Sequence, residues 1–169
     1  MSATLQRDSV ATLAKSDPKK ALVQACKVNE PWFRAQALSW VTRFTDGDSV
    51  AVASEAAKAA QECDDDYQRS AVRAWEVAAL AERGCPREAR KSLLEALALA
   101  KGVEPMSSRS EALLLLLQAA FRIGQDEAQS VYEVLKVSCP VGEHWRCKRA
   151  VRDGKRMLSG ELEPRAFFW

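Results

Sequence analysis

The sequence has a single histidine among 169 residues. Acid–base and metal chemistry lean heavily on imidazole, so this scarcity argues against most enzyme classes. Glycine (7) and proline (6) are also few, which excludes collagen-like and low-complexity chains. No phosphate loop, metalloprotease pair or nucleophile elbow is present, and no cofactor pattern emerges. The longest apolar run, Ala112 to Leu117, is far short of the ~20 residues that cross a bilayer. The start, Met-Ser-Ala-Thr-Leu-Gln-Arg-Asp, lacks the cationic and apolar blocks of a signal peptide. Charge of one sign is missing too: 25 basic and 23 acidic residues leave +2, so any basic patch must be local. Five scattered cysteines (Cys26, Cys63, Cys85, Cys139, Cys147) form no disulfide framework and read as reduced, packed thiols. Together these features predict a cytoplasmic protein with no cofactor, no metal and no membrane contact.

What remains is a helix-former's composition. The chain is 47% hydrophobic and 28% charged with only 7% aromatic residues, and Ala, Leu, Glu, Lys, Arg and Gln dominate it. Its length suits one domain, residues 1–169, able to bury roughly 70% of its unfolded surface.

Laid against itself, the chain shows a degenerate repeat. Arg34-Ala-Gln-Ala-Leu-Ser-Trp40 and Arg69-Ser-Ala-Val-Arg-Ala-Trp75 match at an offset of 35 residues, and segments from Arg109 and Arg146 continue the series loosely. Each Arg is followed 13 to 15 residues later by a glycine: Gly47, Gly84, Gly124 and Gly160. These glycines are expected to be left-handed helix stops. Second helices are expected from Asp17-Pro18 to Val28, Ser49 to Glu62, Pro86 to Lys101 and Asp126 to Val137. The pattern predicts about eight helices in four antiparallel pairs over residues 18–158, with 159–169 as a capping tail. Ala112 to Ala120 is apolar nearly all round, so that helix should lie in the middle, covered on several sides.

The segment Leu80-Ala-Glu-Arg-Gly84-Cys-Pro-Arg-Glu-Ala89, continuing to Leu93, Ala96 and Leu97, resembles the second half of a tetratricopeptide repeat. Phe121-Arg-Ile-Gly124, Ala128 and Tyr132 echo it with one residue deleted. Trp75 is displaced from the motif's aromatic position, the Leu-Gly pair is missing, and the closing Pro is absent or late. A HEAT-like array has a similar period. The resemblance implies an all-α superhelix of helical hairpins whose first helices line a groove for an extended peptide or a partner's helix. Carried over residue by residue, it assigns partner binding to Gln36, Arg43, Glu82, Glu111, Gln118, Arg122, Lys148 and Lys155, with Ser39, Leu114, Phe121 and Val151 beside them.

Two charge features suggest an alternative. Arg34, Arg69 and Arg109 sit in or beside the first turns of their helices, where the dipole disfavours a cation, so each should have a partner. That partner is an acid such as Glu62, Asp64 or Glu104, or an external anion. The last helix gathers Arg146, Lys148, Arg149, Arg152, Lys155 and Arg156 around one acid, Asp153. It reads as a solvated terminal face or as an anion or nucleic-acid patch. Asp64-Asp65-Asp66 is read as an N-terminal capping cluster. The string Cys139-Pro-Val-Gly-Glu-His144-Trp-Arg-Cys147 offers three donors but lacks the fourth a structural zinc site needs. The tail aromatics Phe167-Phe168-Trp169 are expected to fold back over the last helix pair, or to anchor a neighbouring chain as a weak homo-oligomer. The expected role is non-catalytic: a protein-interaction module binding a peptide or helix, with a helical-repeat binder of nucleic acid or another anion as the alternative.

Overall fold

The computed structural model describes residues 1–140 and 144–169. Its described residues form helices and connecting segments, with no strand among them. In chain order the helices are α1 (Ala3–Ala14), α2 (Pro18–Ala25), α3 (Pro31–Phe44), α4 (Ser49–Gln61) and α5 (Asp66–Ala71). They continue as α6 (Arg73–Glu82), α7 (Pro86–Ala100), α8 (Met106–Ala120), α9 (Gln125–Ser138) and α10 (Trp145–Leu158).

Local chemistry sets the starts. The side chains of Ser2, Asp17, Asp48 and Asp65 accept hydrogen bonds from first-turn backbone N–H groups, which would otherwise lack partners. Pro18, Pro31 and Pro86 open α2, α3 and α7, where the missing N–H costs nothing. Asp65 of the acidic triplet is the cap of α5, as the sequence predicts, and Asp66 begins the helix. Gly84 and Gly160 have φ of +76° and +79° and are left-handed stops. Gly47 and Gly124 are not: Gly124 is extended at φ 173° and caps the start of α9.

Two elements depart from the expected count. The chain adds α1 before the first predicted helix; only Val10, Ala11 and Ala14 of it are buried, too thin a stripe to read as periodicity. The predicted helix from Arg69 breaks at Val72 into α5 and α6.

Packing follows sequence order in two sets. α1 packs on α3, α3 on α6, α5 and α6 on α8, and α8 on α10. α2, α4, α7 and α9 each pack against the helix before them and make no extensive contact with one another. The core is built of small residues, including Ala21, Ala37, Ala56, Ala78, Ala96, Ala112 and Ala150, threaded by Trp40, Leu80, Leu113, Leu116, Leu117 and Leu135. α8 touches α5, α6, α7, α9 and α10, the central place its all-round apolar surface requires. Gly154 brings α10 close: a Cβ there would stand 2.9 Å from Leu117 Cδ2 and 2.9 Å from Tyr132 Cδ2.

Candidate functional site

After Gly160 the chain does not cap the last pair, as the sequence suggested; it turns back along the first set of helices. Arg165 reaches α6 and Arg122, just past the end of α8. Its carbonyl accepts from Arg122 Nη2 at 3.1 Å, and its guanidinium lies 5.2 Å from the Trp75 ring centroid. Burial of Arg165 lowers its proton affinity from the ordinary value. Phe167 stands edge-on to Trp75 at 5.3 Å. Phe168 and Trp169 stand edge-on to Trp40 of α3 at 5.0 and 4.9 Å. At the far end Lys15, just past α1, donates from Nζ to Trp169 O at 2.8 Å, and Arg7 of α1 lies 5.3 Å over the Trp169 ring. The segment thus runs from just past α8 across α6 and α3 to α1, and Phe167 and Phe168 are buried. Edge-to-face pairs of this kind add about 0.5–1.5 kcal/mol each beyond the area they bury.

The receptor positions repeat. Trp40 and Trp75 each lie six residues after a repeated arginine, Arg34 and Arg69, and each meets tail rings. The same position after Arg109 is Leu115, so the aromatic register ends at α6. Four of the predicted partner-binding residues gather here. Arg43 lies 5.2 Å over Phe168 and donates to Glu82 Oε2 at 2.5 Å. Arg122 lies 3.9 Å from Glu82 Oε1, and Gln36 Oε1 accepts from Arg7 Nη1 at 2.8 Å. The remaining four do not join them. Gln118 is half-buried on α8, Glu111 pairs with Arg149, and Lys148 and Lys155 are exposed on α10.

Beyond the tail the aromatic face continues. Trp32 stacks on Tyr67 at 6.2 Å and meets Trp75 edge-on at 5.9 Å, and a cleft of about 330 Å³ lies between Trp32, Phe33 and Tyr67. Burial pushes the Tyr67 phenol up, helped by Glu111 and Asp65 and opposed by Arg146.

The repeated arginines have a different task. Arg34, Arg69 and Arg109 each occupy the fourth position of their helix and donate to the carbonyl six residues earlier: Val28 at 3.1 Å, Cys63 at 2.9 Å and Val103 at 2.9 Å. Each also pairs with an acid, Glu62, Asp66 and Glu104 in turn; the second is Asp66 where Asp64 was a candidate. Their forks are occupied by the turns they close. On α10, Arg149 pairs with Glu111 and Arg152 with Asp153, while Arg146 lies 5.4 Å over the exposed Trp145 ring. His144 is a cap, its Nδ1 accepting from Arg146 N at 3.2 Å. Cys139 and Cys147 are buried free thiols, and residues 141–143 of that string lie outside the described residues. Among the described residues no cluster of three or more His, Cys, Asp or Glu could hold a metal ion, and no helix is long and apolar enough to cross a membrane.

Sequence reasoning missed a buried ion pair. Arg73 and Glu76 on α6 are 4% and 3% exposed. Arg73 donates to Glu76 and, at 3.1 Å, to Glu95 Oε2, and Ser92 Oγ donates to Glu76 at 2.6 Å. Burial pushes the Glu76 carboxyl up against the pull of Arg73 and Ser92. The pair floors a cleft of about 460 Å³ between α4, α6 and α7. The spacing of three between Arg73 and Glu76 was visible, but it is also the spacing of a solvated surface pair. Comparison with protein-family models, curated proteins and solved structures finds no match.

Proposed function

We propose that the chain is a non-catalytic interaction module, an α-α superhelix of antiparallel helical hairpins resembling tetratricopeptide arrays, whose first helices form a peptide-binding face. One observation carries this reading: a stretch of the chain itself, residues 164–169, runs from Arg122 just past α8 across α6 and α3 to α1 with its rings on Trp75 and Trp40. The sequential packing, with α2, α4, α7 and α9 held apart on the other side, supports the superhelical arrangement. Extended peptides docked on helical arrays gain affinity from buried aromatic anchors and specificity from polar groups at the rim.

The anion-binding alternative draws less support. Arg34, Arg69 and Arg109 spend their donors on turn carbonyls, and Arg146, Lys148 and Lys155 are exposed. A peptide-display selection on the full chain should enrich segments with adjacent aromatic residues. Mobility-shift titrations with single-stranded RNA and DNA at low salt should show no complex. A shift that weakens steeply with salt, together with an unselective display, would overturn the proposal.

A further inference from the structure

We propose that residues 164–169 are a tethered occupant of the aromatic groove, displaced by a partner segment of matching chemistry: an extended peptide with adjacent aromatic side chains followed by an acidic group. The inference rests on the peptide-binding reading above and names its ligand and its regulation.

Three observations support it. First, the tail is held as a ligand is held, by helices it does not adjoin in sequence. Its anchors recur at one register of two successive units, Trp75 for Phe167 and Trp40 for Phe168 and Trp169. Second, the fit is incomplete. The Trp40 indole Nε1 is buried with no acceptor among the described residues, and Trp169 is 63% exposed. A buried donor without a partner leaves stabilisation for a better occupant to claim. Third, the rim is cationic where the tail ends. Arg7, Lys15, Arg43 and Arg122 border the segment, and the acids paired with them are Asp8 and Glu82. Lys15 already holds an oxygen of Trp169, so an acidic group following the aromatic pair meets Lys15 directly.

A short tether gives an effective concentration on the order of mM. If the tail itself has an intrinsic affinity of about 100 μM, a competing peptide binds the intact chain about tenfold more weakly than a chain whose tail is released.

The test uses fluorescent peptides of the 164–169 sequence extended by two aspartates or by two lysines. They are titrated against the full chain, against Phe167→Ala/Phe168→Ala and against Lys15→Glu, with circular dichroism reporting folding. The double variant should bind the aspartate-extended peptide about tenfold more tightly than the intact chain. Lys15→Glu should remove the preference for the aspartate over the lysine extension. On the intact isotope-labelled chain, saturating unlabelled peptide should remove the nuclear Overhauser contacts of the Phe167 ring with Trp75 and of the Phe168 ring with Trp40, a readout that stands even if the double variant fails to fold. Equal binding to both folded chains overturns the tethered-occupant inference and leaves the groove reading intact. Binding to neither removes both. Tail rings that keep their contacts with Trp75 and Trp40 under bound peptide make the segment a fixed part of the core. A mass that doubles with concentration makes a second copy the occupant. Either result overturns the proposal.

Discussion

Replacing Arg109 by alanine tests whether the repeated arginines are turn clamps or ligand receptors. Arg109 donates from Nε to Val103 O and from Nη1 to Ser138 O, both at 2.9 Å, and pairs with Glu104. Hydrogen bonds to a charged group are each worth about 1.5–3 kcal/mol. Glu104 is 74% exposed, so its share is about 0–1 kcal/mol. Removing a cation from a first turn returns a few tenths of a kcal/mol. The expected net loss is about 3–6 kcal/mol, a fall in Tm of roughly 6–24 °C at this chain length. Arg34→Ala, losing one carbonyl bond and its ion pair, and Arg69→Ala, losing its bond to Cys63 O, a 3.5 Å contact with Asp64 O and its ion pair, should each cost about 1–3 kcal/mol. Urea unfolding of the three variants, with midpoints compared at constant slope, measures the series. Arg109→Lys should recover only part of the loss, because one ammonium cannot span two carbonyls and a carboxylate. If Arg109→Ala unfolds within about 0.5 kcal/mol of the parent, the size of change ordinary at a plain surface site, the clamp is wrong.

Breaking the buried pair with Glu76→Ala should cost about 3–5 kcal/mol, because Arg73 keeps only the half-exposed Glu95, whereas Arg73→Met/Glu76→Leu should lie near the parent; a double as unstable as the single sinks this account. Gly154→Ala should destabilise by about 1–2 kcal/mol, overpacking against Leu117 and Tyr132 outweighing alanine's helix preference, and thermal unfolding reads the sign. Burial pushes the Cys63 thiol up to about 11 and the Cys139 thiol up to about 12, so a thiol reagent should modify exposed Cys26 long before either. The folded chain then holds protons that unfolded thiols release from about 9 upward. Stability is therefore full below that pH and is lost as pH rises toward 11 to 12. Denaturation midpoints that stay flat across this range, or that do not flatten in Cys63→Ala/Cys139→Ala, contradict it.

Much of the helical layout was legible because its signals are local. Prolines and acids mark helix starts, and spacings of three and four mark α4, α7 and α9. The leucine run announces a helix that must be surrounded. The arginine repeat was visible as well. Its partners were only half visible: Glu62 and Glu104 could be named, whereas the carbonyls of Val28, Cys63 and Val103 carry no side-chain signature. Small stripes hid α1, and nothing in Ser70-Ala71-Val72 announces the break between α5 and α6. Gly47 and Gly124 looked like stops because composition does not reveal φ. At the candidate site, Arg43, Glu82 and Arg122 came from the register of the resemblance. The tail's destination did not, because Trp40 and Trp75 served as repeat markers and their contacts with 167–169 span the chain.

Those contacts alter how the molecule holds together. A chain whose helices touch chiefly their sequence neighbours can lose its ends piecemeal, each unit depending only on the next. Here Lys15 and Trp169, 154 positions apart, are in contact, and the rings between them bind the third and sixth helices to the last segment. The ends are joined, so fraying at α1 removes a support of the carboxy-terminal segment, and release of that segment uncovers Trp40 in the first half. Departure of the tail should therefore loosen both halves of the helical packing together.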